Sequence, residues 1–348
     1  MSDRSMADAT LTNAGLDVSA VGAYLTNSGV DICGPLTARL VAGGRSNLTY
    51  VMADSGQSWV VRRPPAAGLT ASAHDMAREF RVTRALAQTD VPVPVPVALC
   101  EDTTVIGAPF TVVEFVQGQT IRIQEDLSGF DDTQVASCVE SLVRSFATLH
   151  AVDHVGIGLG EFGRPDGYAA RQLKRWSGQW AHVTEGSDGR AELLAKMLGE
   201  RIPDQRHTSV VHGDFRIDNT LLGDRDPSKV EAIVDWELST IGDPVADVAM
   251  MCVYRHPALD LILGAKAAWT SDRLPSVEEL ASMYEAQGTI RLEHWEFHLA
   301  LAYYKLAVIA QGIDHRYRAG ATIGDGFDTA GEAVSGLLDA GRAALGDG

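Results

Sequence analysis

H-G-D-F-R-I-D-N, residues 212–219, is the most informative segment of the chain, and I-V-D-W-E, residues 233–237, is the next. In the first segment Asp214 stands five residues before Asn219, and in the second Asp235 follows an apolar run typical of a β-strand. Phosphoryl transfer needs a carboxylate near the acceptor hydroxyl and ligands for the Mg²⁺ ions that neutralise the phosphates. This combination therefore predicts a phosphotransferase site. The alternative is that Asp214 and Asn219 only close a turn.

These segments resemble the signature of the aminoglycoside-phosphotransferase-like kinase family, H-G-D-x-x-x-x-N followed by D-x-[DE]. The longer segment V-D-W-E-L-S-T-I-G-D-P-V-A-D-V-A, residues 234–249, more closely resembles the kinase-like domain at the N-terminus of some eukaryotic acyl-CoA dehydrogenases, members 10 and 11 of that family. The resemblance extends over about residues 40–320. It implies an α+β fold of the bilobal protein-kinase type, with ATP (or GTP) and Mg²⁺ as cofactors.

The resemblance also implies roles for the matching residues. Asp214 would be the catalytic base, and Asn219 and Asp235 would hold the metal. His212 is expected to be buried beside the loop and to support its backbone, and not to act as an acid or base. Asp247 would hydrogen-bond the loop from the start of a helix, with a plain helix N-cap as the alternative.

Residues 1–117 are predicted to form a small, β-rich N-lobe. Strands are expected at 48–52, 59–61 and 109–116, where β-branched and aromatic residues concentrate, and a helix at about 72–87. The run V-P-V-P-V-P-V, residues 91–97, is expected to be an extended connector because each proline disfavours helix. Residues 114–118 are predicted, from position and resemblance, to be the hinge.

The predicted nucleotide site lies in this N-lobe. The segment G-G-R-S-N, residues 43–47, can bring backbone N–H groups close to phosphates because glycine lacks a Cβ, although a plain turn is the alternative. Arg62 stands where the similar V-A-I-K pattern has lysine, and Glu79 is expected to pair with it unless Arg62 lies on an exposed edge strand. The predicted nucleotide-binding residues are Gly43, Gly44, Ser46, Asn47, Val60, Arg62, Glu79, Glu114 and Val116, the last two through their backbone.

Residues 118–348 are predicted to form a larger, mostly helical C-lobe with the catalytic loop, the metal and the substrate site. A β-hairpin is expected around residues 223–224. Apolar residues at three- and four-residue steps predict one helix from about Asp131 and a second one further along. The expected apolar faces comprise Val135, Cys138, Leu142, Phe146 and Leu149 in the first helix, and Leu299, Ala302, Leu306 and Ile309 in the second.

The acceptor is predicted to be a small hydroxylated molecule. Residues 284–318 carry no net charge in a chain of net charge −17, whereas a pocket for polycationic aminoglycosides should be lined with carboxylates. This balance disfavours an antibiotic and favours an anionic metabolite such as a hydroxyacyl-CoA, in agreement with the resemblance. The predicted substrate residues are Glu237, Tyr303, Tyr304 and Lys305. Glu237 alternatively binds a second Mg²⁺ or faces solvent, and the tyrosine pair alternatively packs in a core.

Composition excludes several other classes. The net charge of −17 disfavours binding to nucleic acid or to an anionic membrane surface. The longest apolar stretches fall short of the roughly 20 residues that span a bilayer, and the first ten residues lack a signal-peptide pattern. Four cysteines without a C-x-x-C motif favour a reduced, cytoplasmic protein.

Lysine is scarce, with five in the chain and none before Lys174. Arg62 is therefore the candidate cation for phosphate in the N-lobe. The missing lysine also leaves open a non-catalytic, nucleotide-binding partner of an acyl-CoA dehydrogenase as an alternative function.

Overall fold

The computed structural model describes residues 16–41, 47–64, 75–184, 189–288, 290–321 and 326–346. Within them the chain forms two compact units, and the second begins at Gly118. The first unit is mainly antiparallel sheet and the second mainly helical. The predicted α+β class with a small β-rich part and a larger helical part is confirmed.

The first unit contains one five-stranded antiparallel sheet with the strand order β1-β2-β3-β5-β4. Its elements are α1 (Val18–Asn27), β1 (Thr37–Leu40), β2 (Leu48–Ala53), β3 (Ser58–Arg63), α2 (Met76–Leu86), β4 (Pro96–Cys100) and β5 (Phe110–Glu114). The predicted strands correspond to β2, β3 and β5. The proline run was expected to be only a connector, but Pro96 opens β4. Because β4 is an edge strand, the missing N–H of proline is tolerated there.

Alternation along β3 separates its two faces. Trp59 and Val61 are buried in the core of the unit, while Val60 and Arg62 lie together on the opposite, half-buried face. β3 is an interior strand, so the alternative of an exposed edge strand for Arg62 is wrong.

The second unit places two short strand pairs among helices. β6 (Ser209–Val211) pairs with β9 (Thr240–Gly242), and β7 (Thr220–Leu222) pairs with β8 (Val230–Ile233), which confirms the predicted hairpin. The helices are α3 (Asp132–His150), α4 (Tyr168–Val183), α5 (Arg190–Gly199), α6 (Pro244–Val253), α7 (Ala258–Leu263), α8 (Val277–Glu285), α9 (Trp295–Arg318) and α10 (Ala333–Ala344).

The two helices expected from apolar periodicity differ in their surroundings. α3 begins at a capping box formed by Asp131 and Gln134, and its five predicted apolar side chains are all buried. For α9 a single apolar face was expected, and that expectation is wrong. α4, α5, α6 and α10 pack around it, so it is buried on most sides, while Leu299 and Ile309 stay half-exposed.

None of the helices in the described ranges is long and apolar enough to cross a bilayer.

Candidate active site

The loop of residues 212–219 joins β6 to β7, so strand pairing fixes both of its ends. At its second end the N–H of Val234 donates to the C=O of Asn219 over 2.9 Å. This bond extends the β7–β8 pairing by one step. It brings Asp235, the next residue, to the end of the loop that carries Asn219.

Asn219 is hydrogen-bonded to Asp214 twice. Its Nδ2 donates to the backbone oxygen of Asp214 over 2.8 Å and to the carboxylate Oδ2 over 3.0 Å. Both amide hydrogens are thereby directed at Asp214, and the side-chain oxygen of Asn219 accepts no hydrogen bond from the described residues. The amide therefore orients the carboxylate and keeps an oxygen available for a cation.

The backbone of Asp235 has a left-handed conformation, with φ 66° and ψ 60°. For a residue with a Cβ this costs about 1 kcal/mol, so the surroundings must hold it in place. The next residue, Trp236, does so because its side chain is buried and its Nε1–H donates to the C=O of Ile233 over 2.9 Å. Strain held by packing is common at functional sites.

His212 is fully buried and supports the loop, as the sequence predicts. Its Nδ1 accepts the backbone N–H of Asp214 over 3.3 Å, and its Nε2 lies 3.0 Å from the C=O of Val234. Because a carbonyl can only accept, the ring proton lies on Nε2. Both ring nitrogens are thus occupied by backbone groups, which leaves neither free for proton transfer.

Asp247 binds the backbone of the same loop. Its carboxylate accepts the N–H of His212 over 2.6 Å and the N–H of Gly213 over 2.8 Å. Burial alone would raise the pKa of Asp247, but His150 and the loop N–H groups outweigh it and lower that pKa. The N-cap of α6 is Asp243, which accepts from Val245, so the N-cap alternative for Asp247 is wrong.

Asp247 also contacts a buried histidine, His150, which the sequence did not indicate as part of the site. His150 Nε2 lies 3.3 Å from Asp247 Oδ2, and His150 Nδ1 lies 2.7 Å from the hydroxyl of Tyr284. Burial and the nearby carboxylates raise the pKa of Tyr284, so its hydroxyl stays protonated and donates to Nδ1. α3, α6 and α8 thus hold the loop through one chain of hydrogen bonds.

Gly213 is required by both its conformation and its surroundings. Its φ is +84°, and a Cβ would lie 2.9 Å from the C=O oxygen of Leu238. Gly213→Ala is therefore expected to lower the free energy of unfolding by about 2 kcal/mol or more, measured by urea denaturation. As a control, Gly178→Ala in α4 meets open space and should stabilise the protein by about 0.5–1 kcal/mol. Equal effects of the two changes would contradict this account of the loop.

Two further side chains contact Asp214. The hydroxyl of Tyr254 donates to Oδ1, and the Nε of Arg216 lies 3.6 Å from the same oxygen. Arg216 also pairs with Asp218, at 3.1 Å, and its guanidinium lies over the Tyr254 ring at 5.3 Å. Burial would lower the pKa of Arg216, but Asp214 and Asp218 raise it, so this buried guanidinium stays charged.

Lys305 lies on α9 beside the loop. Its Nζ donates to the C=O of Gly213 over 3.2 Å and lies 5.7 Å from the ring centre of Trp176. Burial lowers the pKa of Lys305, and the charges of Asp214 and Asp247 oppose that change. Both side chains and Gly213 line a cavity of about 30 Å³, which has room for a water molecule but not for a substrate.

The other predicted substrate residues differ in exposure. Tyr303 packs in the interior beside His256, and the hydroxyl of Tyr304 lies 3.3 Å from Ser177 Oγ. Both positions match the alternative of helix packing. Glu237 is half-buried in the short 3-10 helix that follows Asp235.

In the first unit, Arg62 forms the predicted ion pair with Glu79 of α2. Asn47 is 2% exposed, and its side-chain amide makes no hydrogen bond to the described part of the chain. Unpaired amide groups at such depth cost free energy unless a ligand binds them.

The other predicted nucleotide-binding residues are placed as follows. Val60 lies on the same face as Arg62, and Glu114 and Val116 lie at and just after the end of β5. Gly43, Gly44 and Ser46 lie outside the described residues.

The side-chain oxygens near the loop are suitable ligands for a Mg²⁺ ion that also binds phosphate oxygens. No cluster of three or more His, Cys, Asp or Glu side chains able to hold a metal occurs in the described ranges. Mg²⁺ in kinase sites is bound by one or two carboxylates and by phosphate oxygens, so a complete protein cage is not needed. The side-chain oxygen of Asn219 and the carboxylate of Asp235 are donors of the required kind.

Comparison with known proteins gives one family and a consistent fold. Residues 37–281 match the phosphotransferase enzyme family. Mouse acyl-CoA dehydrogenase family member 10 is 34% identical over 291 residues, which are 82% of this chain and 27% of that protein. The chain spans between 27% and 38% of the length of such relatives.

Two solved structures are similar over most of their length. A Ralstonia eutropha protein, provisionally described as an aminoglycoside phosphotransferase, has 33% identity and a TM-score of 0.82, covering 95% of this chain and 98% of that one. An aminoglycoside phosphotransferase solved with AMP-PNP and hygromycin B has 15% identity and a TM-score of 0.61, covering 94% and 98%.

Proposed function

The chain belongs to the phosphotransferase enzyme family, and on that basis we propose that it transfers the γ-phosphoryl group of ATP to a hydroxyl group of a small molecule. The observation that carries the proposal is the double hydrogen bond between Asn219 and Asp214, next to the strained backbone of Asp235. A loop built only to turn the chain has no need for two hydrogen bonds that orient one carboxylate.

In the proposed reaction Asp214 is the base. The acceptor hydroxyl binds Asp214 Oδ1, its oxygen attacks the γ-phosphorus, and the bond from that phosphorus to the departing ADP oxygen breaks. The hydroxyl proton passes to Asp214. Asn219 and Asp235 would hold Mg²⁺, which when bound neutralises charge on the phosphates. His212 and Asp247 keep the loop in place.

The first unit would bind the nucleotide. Arg62, oriented by Glu79, is proposed to contact phosphate oxygens, and Asn47 is proposed to donate its buried amide to the same group. Val60 would contact the adenine, and the backbone of Glu114 and Val116 would hydrogen-bond it. The related phosphotransferase that was solved with AMP-PNP supports a nucleoside triphosphate as the donor.

Arg62→Lys is expected to weaken this binding without abolishing it. Lysine keeps the charge but acts as a point charge, so about one charge-assisted hydrogen bond is lost, and the affinity for Mg·ATP should fall about tenfold. Titration calorimetry would measure the change. Arg63→Lys is the control, because Arg63 lies on the opposite face of β3 and donates to the C=O of Ile106. Equal losses in both variants would argue against phosphate contact by Arg62.

The charges beside the loop favour an anionic acceptor. The carboxylates of Asp218, Asp243 and Asp247 are engaged by Arg216, by the N-terminus of α6 and by the loop N–H groups, respectively. The oxygens of all three already have partners inside the protein, which argues against direct contact with a polycationic aminoglycoside. We therefore propose a hydroxyacyl-CoA or a related metabolite, with Lys305 and Glu237 on the acceptor side. The acyl-CoA dehydrogenase relatives support the same class.

A mass-spectrometric screen tests the proposal. The protein, Mg²⁺ and ATP are incubated with a pool of hydroxyacyl-CoAs, simple alcohols and aminoglycosides, and products with a phosphate-sized mass gain are sought. A gain confined to hydroxyacyl-CoAs is expected. A gain on aminoglycosides would overturn the substrate class, and no gain on any acceptor would favour a non-catalytic partner of an acyl-CoA dehydrogenase.

A further inference from the structure

The surroundings of Asp214 point to a residue outside both signature segments. Tyr254 directly follows α6, is 6% exposed, and donates its hydroxyl hydrogen to Oδ1 of Asp214. Asn219 binds the other oxygen, Oδ2, at 3.0 Å. We propose that Tyr254 is a positioning residue that, together with Asn219, fixes the plane of the Asp214 carboxylate and directs the remaining lone pair of Oδ1 at the acceptor hydroxyl.

The side chain of Tyr254 is itself held in place by neighbouring residues. The guanidinium of Arg216 lies over its ring at 5.3 Å, and Arg216 is in turn paired with Asp218 at 3.1 Å. The ring therefore lies between the end of a helix and a buried, charged side chain. A cation over an aromatic face stabilises that arrangement further.

α6 controls both the backbone and the side chain of the catalytic loop. Near its start Asp247 accepts the N–H groups of His212 and Gly213, and at its end Tyr254 binds the carboxylate of Asp214. The backbones of Asp247 and Tyr254 are about 10 Å apart along the helix axis, since each residue rises 1.5 Å, and their side chains converge on adjacent loop residues. One rigid element thus sets where the loop lies and how its carboxylate points.

The hydroxyl of Tyr254 can orient the base without blocking it. A carboxylate oxygen accepts more than one hydrogen bond, so Oδ1 retains a lone pair for the acceptor. Burial and the charge of Asp214 raise the pKa of Tyr254 well above its ordinary value, so the hydroxyl remains a donor. A base must lie within about 3 Å of the atom that carries the proton, and displacement by about 1 Å can cost a factor of about 100.

Tyr254→Phe tests the inference, because it removes the hydroxyl and keeps the ring under Arg216. With an acceptor from the screen, we expect kcat to fall about 10- to 100-fold while KM for ATP is unchanged. The matched control is Tyr24→Phe in α1, which loses a partly buried hydroxyl that donates to the C=O of Leu99 at 2.6 Å. Tyr24→Phe should keep its kcat. An unchanged kcat in Tyr254→Phe, or equal losses in both variants, would overturn the inference.

The inference rests on the proposed phosphotransfer, and the kinetic test needs an acceptor. We therefore add a second measurement that needs none. Urea unfolding of Tyr254→Phe, Asp214→Ala and the double variant forms a thermodynamic cycle. We expect the two changes to be coupled by a factor of about 10 or more in the unfolding constant. Additive effects would overturn the inference even if kcat falls. A wild type that phosphorylates no acceptor would instead show that the proposed function fails, and the positioning role would fall with it.

Discussion

Asp247→Asn is expected to destabilise the protein by about 3 kcal/mol and to abolish phosphoryl transfer. The buried carboxylate accepts two loop N–H groups and faces His150, and an amide cannot accept all of these donors. Hydrogen bonds to a charged acceptor contribute about 1.5–3 kcal/mol each, and the donors left unpaired add to the cost. Urea denaturation measures the loss of stability, and the transfer assay measures the loss of activity.

Asp243→Asn provides the control within the same helix. Asp243 caps α6 by accepting the N–H of Val245 at 3.0 Å, and asparagine caps helices about as well as aspartate does. The change should therefore shift the free energy of unfolding by no more than about 0.5 kcal/mol. If the two variants unfold alike, Asp247 does not hold the loop.

The same carboxylate predicts how stability depends on pH. The pKa of Asp247 is lower in the folded protein than its ordinary value of 3.8. The stabilisation it gives is therefore fully present above about pH 4, and it is lost as the pH falls through the folded pKa. The difference in stability between the wild type and Asp247→Asn should narrow in acid, which unfolding curves at several pH values would measure. A difference that grows on acidification would contradict the lowered pKa.

Asp214→Asn is expected to reduce phosphoryl transfer by a factor of about 100 to 10,000 while Mg·ATP still binds. Asparagine has nearly the same shape as aspartate but cannot take the proton of the acceptor, and a positioned base contributes that much to a rate. Steady-state kinetics measures the loss, and calorimetry measures nucleotide affinity. Asp226→Asn is the control, since Asp226 is an exposed loop carboxylate bonded to Ser228. Undiminished transfer by Asp214→Asn would remove Asp214 as the base.

Spacing along the chain predicted the parts of the site that local structure brings together. Asp214 and Asn219 share one loop, and Asp235 follows the strand that pairs with the strand after that loop, so a hairpin suffices to unite them. Arg62 and Glu79 are likewise joined by one strand and the next helix, and their predicted ion pair is present. Strand alternation also placed Val60 on the face of Arg62.

Contacts that depend on tertiary packing were not predictable from the same patterns. Tyr254 lies 40 residues beyond Asp214, and only the placement of α6 brings its hydroxyl to the carboxylate. His150 is one residue past the last predicted apolar position of α3, and nothing in its spacing indicates that it contacts Asp247. The pair β6 and β9 consists of three-residue strands, too short for a period of two to be recognised.

α9 shows why apolar periodicity alone does not predict which faces of a helix are buried. A stripe of apolar residues predicts one buried face, but a helix surrounded by four others is apolar on most sides. Tyr303 and Tyr304 were therefore placed on the acceptor side by sequence, although both are buried among neighbouring helices. Lys305, the next residue, contacts the loop backbone at Gly213. Its nearness to the site follows from the fold and not from the stripe.

We propose that the wild-type protein moves a phosphoryl group from ATP to a hydroxyl group, with Asp214 as the base. The most direct test uses ATP labelled in its γ-phosphoryl group, in a single turnover with the acceptor from the screen. We expect the label on the acceptor hydroxyl with the wild type, and almost none with Asp214→Asn. Label that remains in ATP or appears only as inorganic phosphate with the wild type, or equal transfer by both proteins, would contradict the account.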